Sequence, residues 1–281
     1  AESPFVSYLS PAWVKRLEYV LDEGQRLNLG IDMATGNGWP MGGPNVGPED
    51  AAKYVARKSW LVIGGGHLAE PVVYVQEPIV RVAGPRKVTI DELKEPVASN
   101  PNLQDLALDQ VRFEKKLPLQ TLMAYSDRGQ KIDLTNKVGA NGTLDWTAPA
   151  GANWTLYALF LGWHGKQVER AGPGGEGNAI DHFSGTAFNH YIARFDQAFA
   201  GRNVNRVRAF FSDSYEVDDS QGESDWTANF LDEFQRRRGY DLRRELPAFF
   251  GQDTPEKNAR VISDHRETIS DLMYDEYMAS W

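Results

Sequence analysis

The chain has 281 residues, five histidines, no cysteine and a formal net charge of −9. The absence of cysteine excludes disulfides and thiolate chemistry, and the acidic balance argues against a nucleic-acid partner, because phosphate binding needs a basic face. Hydrophobic residues make up 41% of the chain, which is enough for a sizeable core, and no apolar run approaches the ~20 residues needed to span a bilayer.

The first elements are predicted to be a helix, a strand, a loop and a second helix. Ser10 before Pro11 favours a helix start, and apolar residues recur at helical spacing to about Arg26. Residues 29–33 are short and apolar, as expected of a buried parallel strand. A loop dense in glycine and proline follows at 34–45, and Pro48 opens a predicted helix that extends to about Arg57.

The middle of the chain, residues 59–165, has a different residue pattern. Short runs rich in Val, Ile and Leu alternate with turn signals such as Asp127-Arg-Gly129 and Asn141-Gly142. This pattern predicts an all-β, sandwich-like module inserted into an α/β chain, with residues 1–58 before it and 166–281 after it. The predicted strands are Trp60–Ile63, Val72–Gln76, Ile79–Val82, Thr121–Tyr125, Lys131–Leu134, Gly142–Trp146 and Trp154–Gly162.

The last part, residues 166–281, returns to the α/β pattern. A loop leads into a predicted helix from about Ser184 to Phe199, and residues 207–211 form a short, mostly apolar strand. Further helices are expected from Ser224 or Asp225 to the Gly239 stop signal, and from Thr254 to the end of the chain.

The polar tip after the 207–211 strand is the main candidate for chemistry. Asp213, Ser214, Tyr215 and Glu216 follow one another where the strand ends, and the carboxyl ends of strands carry the active sites of α/β enzymes. Glu216 is placed for acid, base or metal-ligand work, although a solvated loop carboxylate is the simpler alternative. We expect Glu216 to share a sugar-sized hollow with the tryptophan loop around Trp39.

The other ionisable residues of this region keep simpler interpretations. Asp213 is either a second functional carboxylate or a buried partner of Arg206 or Arg208. Isolated histidines such as His182 are expected to be structural. The acidic residues Asp218, Asp219 and Glu223 are predicted to form a solvated face, although oxygen-rich loops also bind calcium.

The glycine-rich loop after Met33 does not carry a nucleotide-binding motif. It lacks the Gly-Lys-Ser/Thr of a P-loop, and Met41 stands where the third glycine of G-x-G-x-x-G belongs. Two interpretations remain open for this loop. Trp39 is a sugar platform with Asn37 as a hydrogen-bonding group, or Trp39 and Pro40 are packing residues of a tight turn.

Several stretches together resemble the α-L-rhamnosidase family of glycoside hydrolases, family 106. They span nearly the whole chain in family order, with Asn45 standing where the family usually has Trp. The stretches are Asp32-Met-Ala-Thr-Gly-Asn-Gly-Trp-Pro-Met-Gly-Gly-Pro44, Gly165-Lys-Gln-Val-Glu-Arg170, Pro173-Gly-Gly-Glu-Gly177, Asp181-His-Phe-Ser184, Phe211-Ser-Asp-Ser-Tyr-Glu216, Arg237-Arg-Gly-Tyr-Asp241 and Arg266-Glu-Thr-Ile-Ser-Asp271.

The resemblance implies a (β/α)₈ TIM-type barrel with a β-rich insertion, a calcium ion near the sugar and hydrolysis of α-L-rhamnosides with inversion. It makes Glu216 the general base, or a carboxylate that orients water through the metal, with Asp213 as the second catalytic candidate. Inversion needs a protonated carboxyl on the other side of the bond, ~6.5–9.5 Å away. The candidate substrate-binding residues are Asp32, Asn37, Trp39, Glu176, His182 and Tyr215.

Length sets the remaining expectations. A barrel takes about 250 residues, whereas roughly 175 lie outside the β-rich module, so we predict a segment of a longer enzyme that lacks the general acid and is inactive alone. The expected partner is a rhamnose-containing glycan, and the expected location is secreted or periplasmic. Two alternatives are a non-catalytic carbohydrate-binding protein on the same scaffold and a galactosidase-like barrel hydrolase.

Overall fold

The structure is a computed structural model, and it describes residues 5–217 and 220–281. Within these residues no helix is long and apolar enough to cross a membrane. The helices are α1 (Pro11–Arg26), α2 (Leu103–Leu106), α3 (Gly185–Phe199), α4 (Phe230–Arg238), α5 (Leu246–Phe249) and α6 (Pro255–Leu272). The strands are β1 (Asp32–Ala34), β2 (Gly42–Gly43), β3 (Lys53–Ile63), β4 (Val75–Gln76), β5 (Ile79–Val82), β6 (Leu108–Arg112), β7 (Lys115–Lys116), β8 (Leu119–Ser126), β9 (Lys131–Asp133), β10 (Asn153–Trp163), β11 (Asn178–Ala179) and β12 (Ala209–Phe211).

The helices with local capping signals form where they were predicted. The Ser10 hydroxyl accepts a hydrogen bond from the backbone N–H of Trp13 at the start of α1, and the Ser184 hydroxyl does the same for Ala187 at the start of α3. Each cap satisfies a backbone donor that the first turn leaves unpaired. The prediction of these two helices is confirmed.

The α/β character of the chain rests on one parallel pair of strands. β1 pairs with β12, with Met33 opposite Phe210. β1 starts at Asp32, three residues after the predicted start, and the exposed Phe210 and Phe211 lie on the opposite strand. The described residues contain no closed barrel, so only the mixed helix–strand part of the predicted fold is confirmed.

A four-stranded antiparallel sheet, in the order β3-β10-β8-β9, forms the centre of the molecule. β3 pairs with β10 over eleven positions, from Lys53 opposite Trp163 to Ile63 opposite Asn153. The predicted helix from Pro48 to about Arg57 is therefore wrong, because residues from Lys53 onward pair with β10, and tertiary pairing overrides weak local helix propensity.

The two faces of this sheet bury different partners. One face packs Val55, Tyr157 and Leu159 against the C-terminal helices. The other packs Trp154 and Leu156 against the connecting segments of residues 60–148. A sheet covered by helices on one side is not the sandwich that the sequence suggested, so that detail is not confirmed.

Within the β-rich segment the strand predictions were partly wrong. Gly142–Trp146 makes only an isolated bridge, between Leu144 and Val138, and β6 was not predicted. β6 pairs with β5, and its sequence Leu-Asp-Gln-Val-Arg carries polar residues at buried positions, so no apolar run marks it as a strand.

The C-terminal helices depart from prediction at the start of α4, in the unpredicted short helix α5 and at the end of the last helix. α4 begins at Phe230 rather than at Ser224 or Asp225, because Trp226 is fully buried in extended backbone that bridges Lys53. Gly239, at φ 78°, ends α4 in the left-handed conformation, as predicted. α6 begins behind the Thr254 cap and continues as a π-helix over Met273–Met278.

Candidate active site

The centre of the candidate site is the contact between Glu216 and Trp39. The indole N–H of Trp39 donates a hydrogen bond to Oε2 of Glu216 over 2.7 Å, and the Ser214 hydroxyl donates to Oε1 over 2.7 Å. Both carboxylate oxygens are thus held by donors, and the half-buried Glu216 lies against the glycine-rich loop. The structure brings together the two segments that the sequence analysis singled out.

The parallel pair explains why these two loops meet. The loop of Trp39 follows the carboxyl end of β1, and the loop of Glu216 follows the carboxyl end of β12. Thr35 extends the pairing by one bond, from its N–H to the carbonyl of Phe211 over 3.0 Å. Carboxyl ends of neighbouring parallel strands lie at one edge of a sheet, so side chains from both loops converge there.

Trp39 is fixed from the far side by the segment after β10. Its backbone exchanges two hydrogen bonds with Glu169, and the guanidinium of Arg170 lies 5.5 Å from the centre of its ring. The ring of Trp39 is therefore partly covered by a cation, and the edge that carries the N–H faces Glu216. Two interpretations of Trp39 were left open, a sugar platform and a packing residue. The geometry adds a third role, that of a hydrogen-bond donor to the carboxylate of Glu216.

Asn37 lies in the same loop but is held by a backbone carbonyl. Its side-chain amide donates to Gly172 over 3.0 Å. Gly172 and Gly175 pack so closely on it that an added Cβ would lie 2.9 Å and 2.7 Å from Asn37 atoms. Close approach of the two loops thus requires glycine at both positions.

Tyr215 and His182 lie together behind the Glu216 loop. Their ring centres are 4.8 Å apart in an edge-to-face arrangement, and Tyr277 approaches His182 from another side at 4.7 Å. His182 is buried, its Nδ1–H donates to the carbonyl of Ile180, and burial lowers its pKa to about 4. The imidazole is therefore neutral near pH 7, and its ring contacts both Tyr215 and Tyr277.

Asp213 is exposed and is not the buried partner of an arginine. Its Oδ1 accepts the backbone N–H of Ser214 over 2.9 Å. Arg206 instead pairs with Asp22, and Arg208 pairs with Asp32. The interpretation of Asp213 as a buried ion-pair partner is therefore wrong, and the carboxylate remains accessible on the loop of Glu216.

Asp32 and Glu176 make hydrogen bonds to residues other than Glu216 and Trp39. Asp32 is at the amino end of β1, opposite the end that leads to Trp39, and its hydrogen bonds with Arg208 lower its pKa. Glu176 lines a cavity of about 260 Å³ between the β-rich segment and the loop after β10. There it accepts hydrogen bonds from the side chain of Gln104 and the N–H of Gly174.

A buried charged pair next to the site was not predicted from the sequence. The ammonium of Lys53 donates to the carbonyls of Pro48, Glu49 and Ala51. Asp181 lies near this ammonium, and burial raises the pKa of Asp181 to about 6 despite a hydrogen bond from the Thr227 hydroxyl. The signal available in the sequence was Asp181 itself, which lies in one of the stretches that carry the family resemblance.

Residues 5–217 and 220–281 do not by themselves assemble a metal site, since no three of their His, Asp and Glu side chains cluster. Asp218 and Asp219, part of the predicted acidic face, lie outside the described residues. The calcium ion implied by the resemblance therefore stays a prediction.

Comparison with known proteins places the chain in a family. The family model described as alpha-L-rhamnosidase matches residues 114–280. A protein of Formosa agariphila named "Putative beta-glucuronidase" is 29% identical over 290 residues, which cover 98% of this chain and 24% of that protein.

A solved structure, the rhamnosidase from Novosphingobium sp. PP1Y, matches with a TM-score of 0.61 and 23% identity, over 97% of this chain and 39% of that one. The similarity to this structure establishes the fold. The chain spans well under half the length of both relatives. Since the family model covers more than half of its residues, the chain belongs to the α-L-rhamnosidase family of glycoside hydrolases.

Proposed function

We propose that this chain contributes Glu216 and its surrounding loops to a glycosidase that removes terminal α-L-rhamnosyl residues from glycans or glycosides. Family membership supports the class of reaction. The observation that carries the proposal is the carboxylate of Glu216, fixed at the carboxyl ends of β1 and β12 by one donor from each loop.

The hydrogen bonds favour one role for Glu216. Oε2 accepts from the indole N–H of Trp39 and Oε1 accepts from the Ser214 hydroxyl, so both oxygens act as acceptors, as they do in a carboxylate. An ionised carboxylate takes a proton from water and serves as the general base of an inverting mechanism.

The proton donor must be a second carboxyl across the sugar. Among residues 5–217 and 220–281, Asp213 is the exposed carboxylate nearest in sequence to Glu216. Its side chain accepts from Ser214, the residue that also donates to Glu216, so both acids share one hydroxyl-bearing neighbour. We keep Asp213 as a catalytic candidate and propose that the general acid lies in the longer polypeptide, so that these 281 residues alone release no rhamnose.

The test uses the full-length protein that contains this chain and an aryl α-L-rhamnoside. Glu216→Gln keeps the shape of the side chain and removes the base, so kcat should fall by about 10²- to 10⁴-fold. Glu223→Gln, at an exposed carboxylate of the same loop, is the matched control and should leave kcat unchanged. Undiminished turnover by the Glu216 variant would refute the role.

The stereochemistry and the substrate class are tested in the same assay. NMR detection of the β-anomer as the first product from an α-L-rhamnoside would support inversion. One relative carries the name of a beta-glucuronidase, so a panel of rhamnosides, glucuronides and galactosides decides the sugar. Sugar binding without cleavage of any of them would favour the carbohydrate-binding alternative.

Calcium and location complete the proposal. A calcium ion close to Glu216 would raise the melting temperature of the full-length protein when calcium replaces a chelator. Export to the periplasm or the medium is the location that a glycan substrate favours.

A further inference from the structure

One buried glutamine of the β-rich segment holds the loop that carries Glu216. Gln110 lies in β6 and is completely buried. Its Oε1 accepts the backbone N–H of Gln221 over 2.9 Å, and its Nε2 donates to the carbonyl of Gln221 over 3.1 Å. The side-chain amide thus pairs with residue 221 in both directions, as a neighbouring strand would.

Two further side chains hold the same short stretch. Arg112 donates to the carbonyl of Gln221 over 3.1 Å, and Nε2–H of His164 donates to the carbonyl of Gly222 over 2.9 Å. Burial lowers the pKa of His164 to about 4, so near pH 7 the ring is neutral, with its single proton on Nε2.

Gln110 also connects these holding groups to one another. Its Nε2 donates to the carbonyl of His164 over 2.9 Å, and Nε of Arg112 donates to the same oxygen over 2.7 Å. Each polar atom of the buried amide has a partner, and the arrangement has the complete satisfaction expected of a specific buried network.

The Glu216 loop is therefore anchored on both sides of its carboxylate. Before Glu216, the hydroxyl groups of Ser212 and Tyr277 lie 2.6 Å apart. After it, Gln221 and Gly222 are exposed residues whose backbone is fixed by Gln110 and its neighbours. Exposed residues gain little from packing, so hydrogen bonds to the β-rich segment determine where this end of the loop lies.

We propose that Gln110 is a positioning residue for Glu216, through which the β-rich segment sets the placement of the catalytic carboxylate. The proposal rests on the proposed function, since it assumes that Glu216 takes part in the reaction. It assigns to the β-rich segment a role in turnover without contact with substrate.

A second buried glutamine provides a matched control. Gln76 is also almost completely buried, donates from Nε2 to the carbonyl of Phe113 over 3.0 Å, and accepts the N–H of Trp163 over 3.1 Å. Both glutamines pair with backbone on either side of the amide. Of these two glutamines, only Gln110 pairs with the Glu216 loop. Comparing the same substitution at Gln110 and at Gln76 therefore separates loss of positioning from general loss of stability.

The experiment compares Gln110→Met and Gln76→Met in the full-length protein by steady-state kinetics, thermal melting and amide hydrogen exchange. Gln110→Met should lower kcat by about 10- to 100-fold, since a displacement near 1 Å costs about that much, with little change in KM. The Gln221 amide should also exchange faster. Gln76→Met should lower the melting temperature comparably and leave both kcat and that exchange unchanged.

Equal kcat values for the two variants, or unchanged exchange at Gln221, would overturn the proposal. If Gln110→Met does not fold, Gln110→Glu keeps the volume and the acceptor for the Gln221 N–H while removing both donors, and a drop in its kcat decides the matter. Glu216→Gln is run alongside. Full activity of that variant would show that the proposed function is wrong, whereas full activity of the Gln110 variants alone would refute only the positioning role.

Discussion

The hydrogen bond between Trp39 and Glu216 leads us to predict a fall in kcat/KM for the variant Trp39→Phe. Phenylalanine keeps an aromatic ring in the loop but has no N–H, so Oε2 of Glu216 loses the donor that lies 2.7 Å away. Ser214 would remain as the donor to Oε1. The carboxylate would then be held from its own loop and no longer from the loop after β1.

The size of the effect follows from the charge on the acceptor. Hydrogen bonds to charged groups contribute about 1.5–3 kcal/mol, against about 0.5–1.5 kcal/mol for neutral pairs. Each 1.36 kcal/mol corresponds to about a tenfold change in rate. If the bond orients Glu216 in the transition state, kcat/KM should fall by about 10- to 100-fold in Trp39→Phe.

A second tryptophan provides the control for this substitution. The indole N–H of Trp163 donates to the carbonyl of Pro48 over the same 2.7 Å, and Lys115 lies 4.3 Å from its ring centre. Trp163→Phe therefore removes a hydrogen bond of the same length, but to a neutral carbonyl, from a ring that also has a cation contact and lies far from Glu216 in the chain. If both variants lower kcat/KM on an aryl α-L-rhamnoside by the same factor, the reasoning about Trp39 is refuted.

Two further predictions concern stability. Burial lowers the pKa of His265 to about 4 from 6.5, so between these values the unfolded chain binds a proton that the native state does not, and stability falls as pH falls through this window. His164 and His182 contribute in the same way, so His265→Gln should reduce, but not remove, the slope of this part of a urea-unfolding profile measured against pH, whereas the exposed His67→Gln should leave the slope unchanged. A Cβ on Gly162 would lie 2.2 Å from the ring of Tyr54, so Gly162→Ala should lower the free energy of unfolding by about 1–3 kcal/mol through overpacking. Gly47→Ala, with no atom within 4 Å of the new Cβ, should change it little, and equal losses would contradict this account.

The elements that could be predicted from the sequence are those whose signals are local. The caps at Ser10, Ser184 and Thr254 act within three residues of the backbone groups that they satisfy, and Gly239 ends α4 through its own φ angle. Such signals do not depend on the rest of the fold. The same locality made Glu216 recognisable as a carboxylate just after a short apolar strand.

Other predictions failed because a distant partner decided the conformation. Residues from Lys53 onward have a helix-compatible start, yet they pair with β10, about one hundred positions later. The helix expected from Ser224 or Asp225 begins only at Phe230, because Trp226 forms a bridge with Lys53, which lies far earlier in the chain. Neither outcome can be read from a window of ten residues.

The sequence by itself determined the capped helices, the family and the residue with the strongest case for chemistry, since each follows from residues that are neighbours in the chain or from a motif. Only the tertiary structure decided how that residue is held. Trp39 and Glu216 are 177 positions apart, and Gln110 and Gln221 are 111 apart. The direction of a hydrogen bond between such pairs depends on side-chain rotamers within a packed fold, and packing is a property of the whole chain.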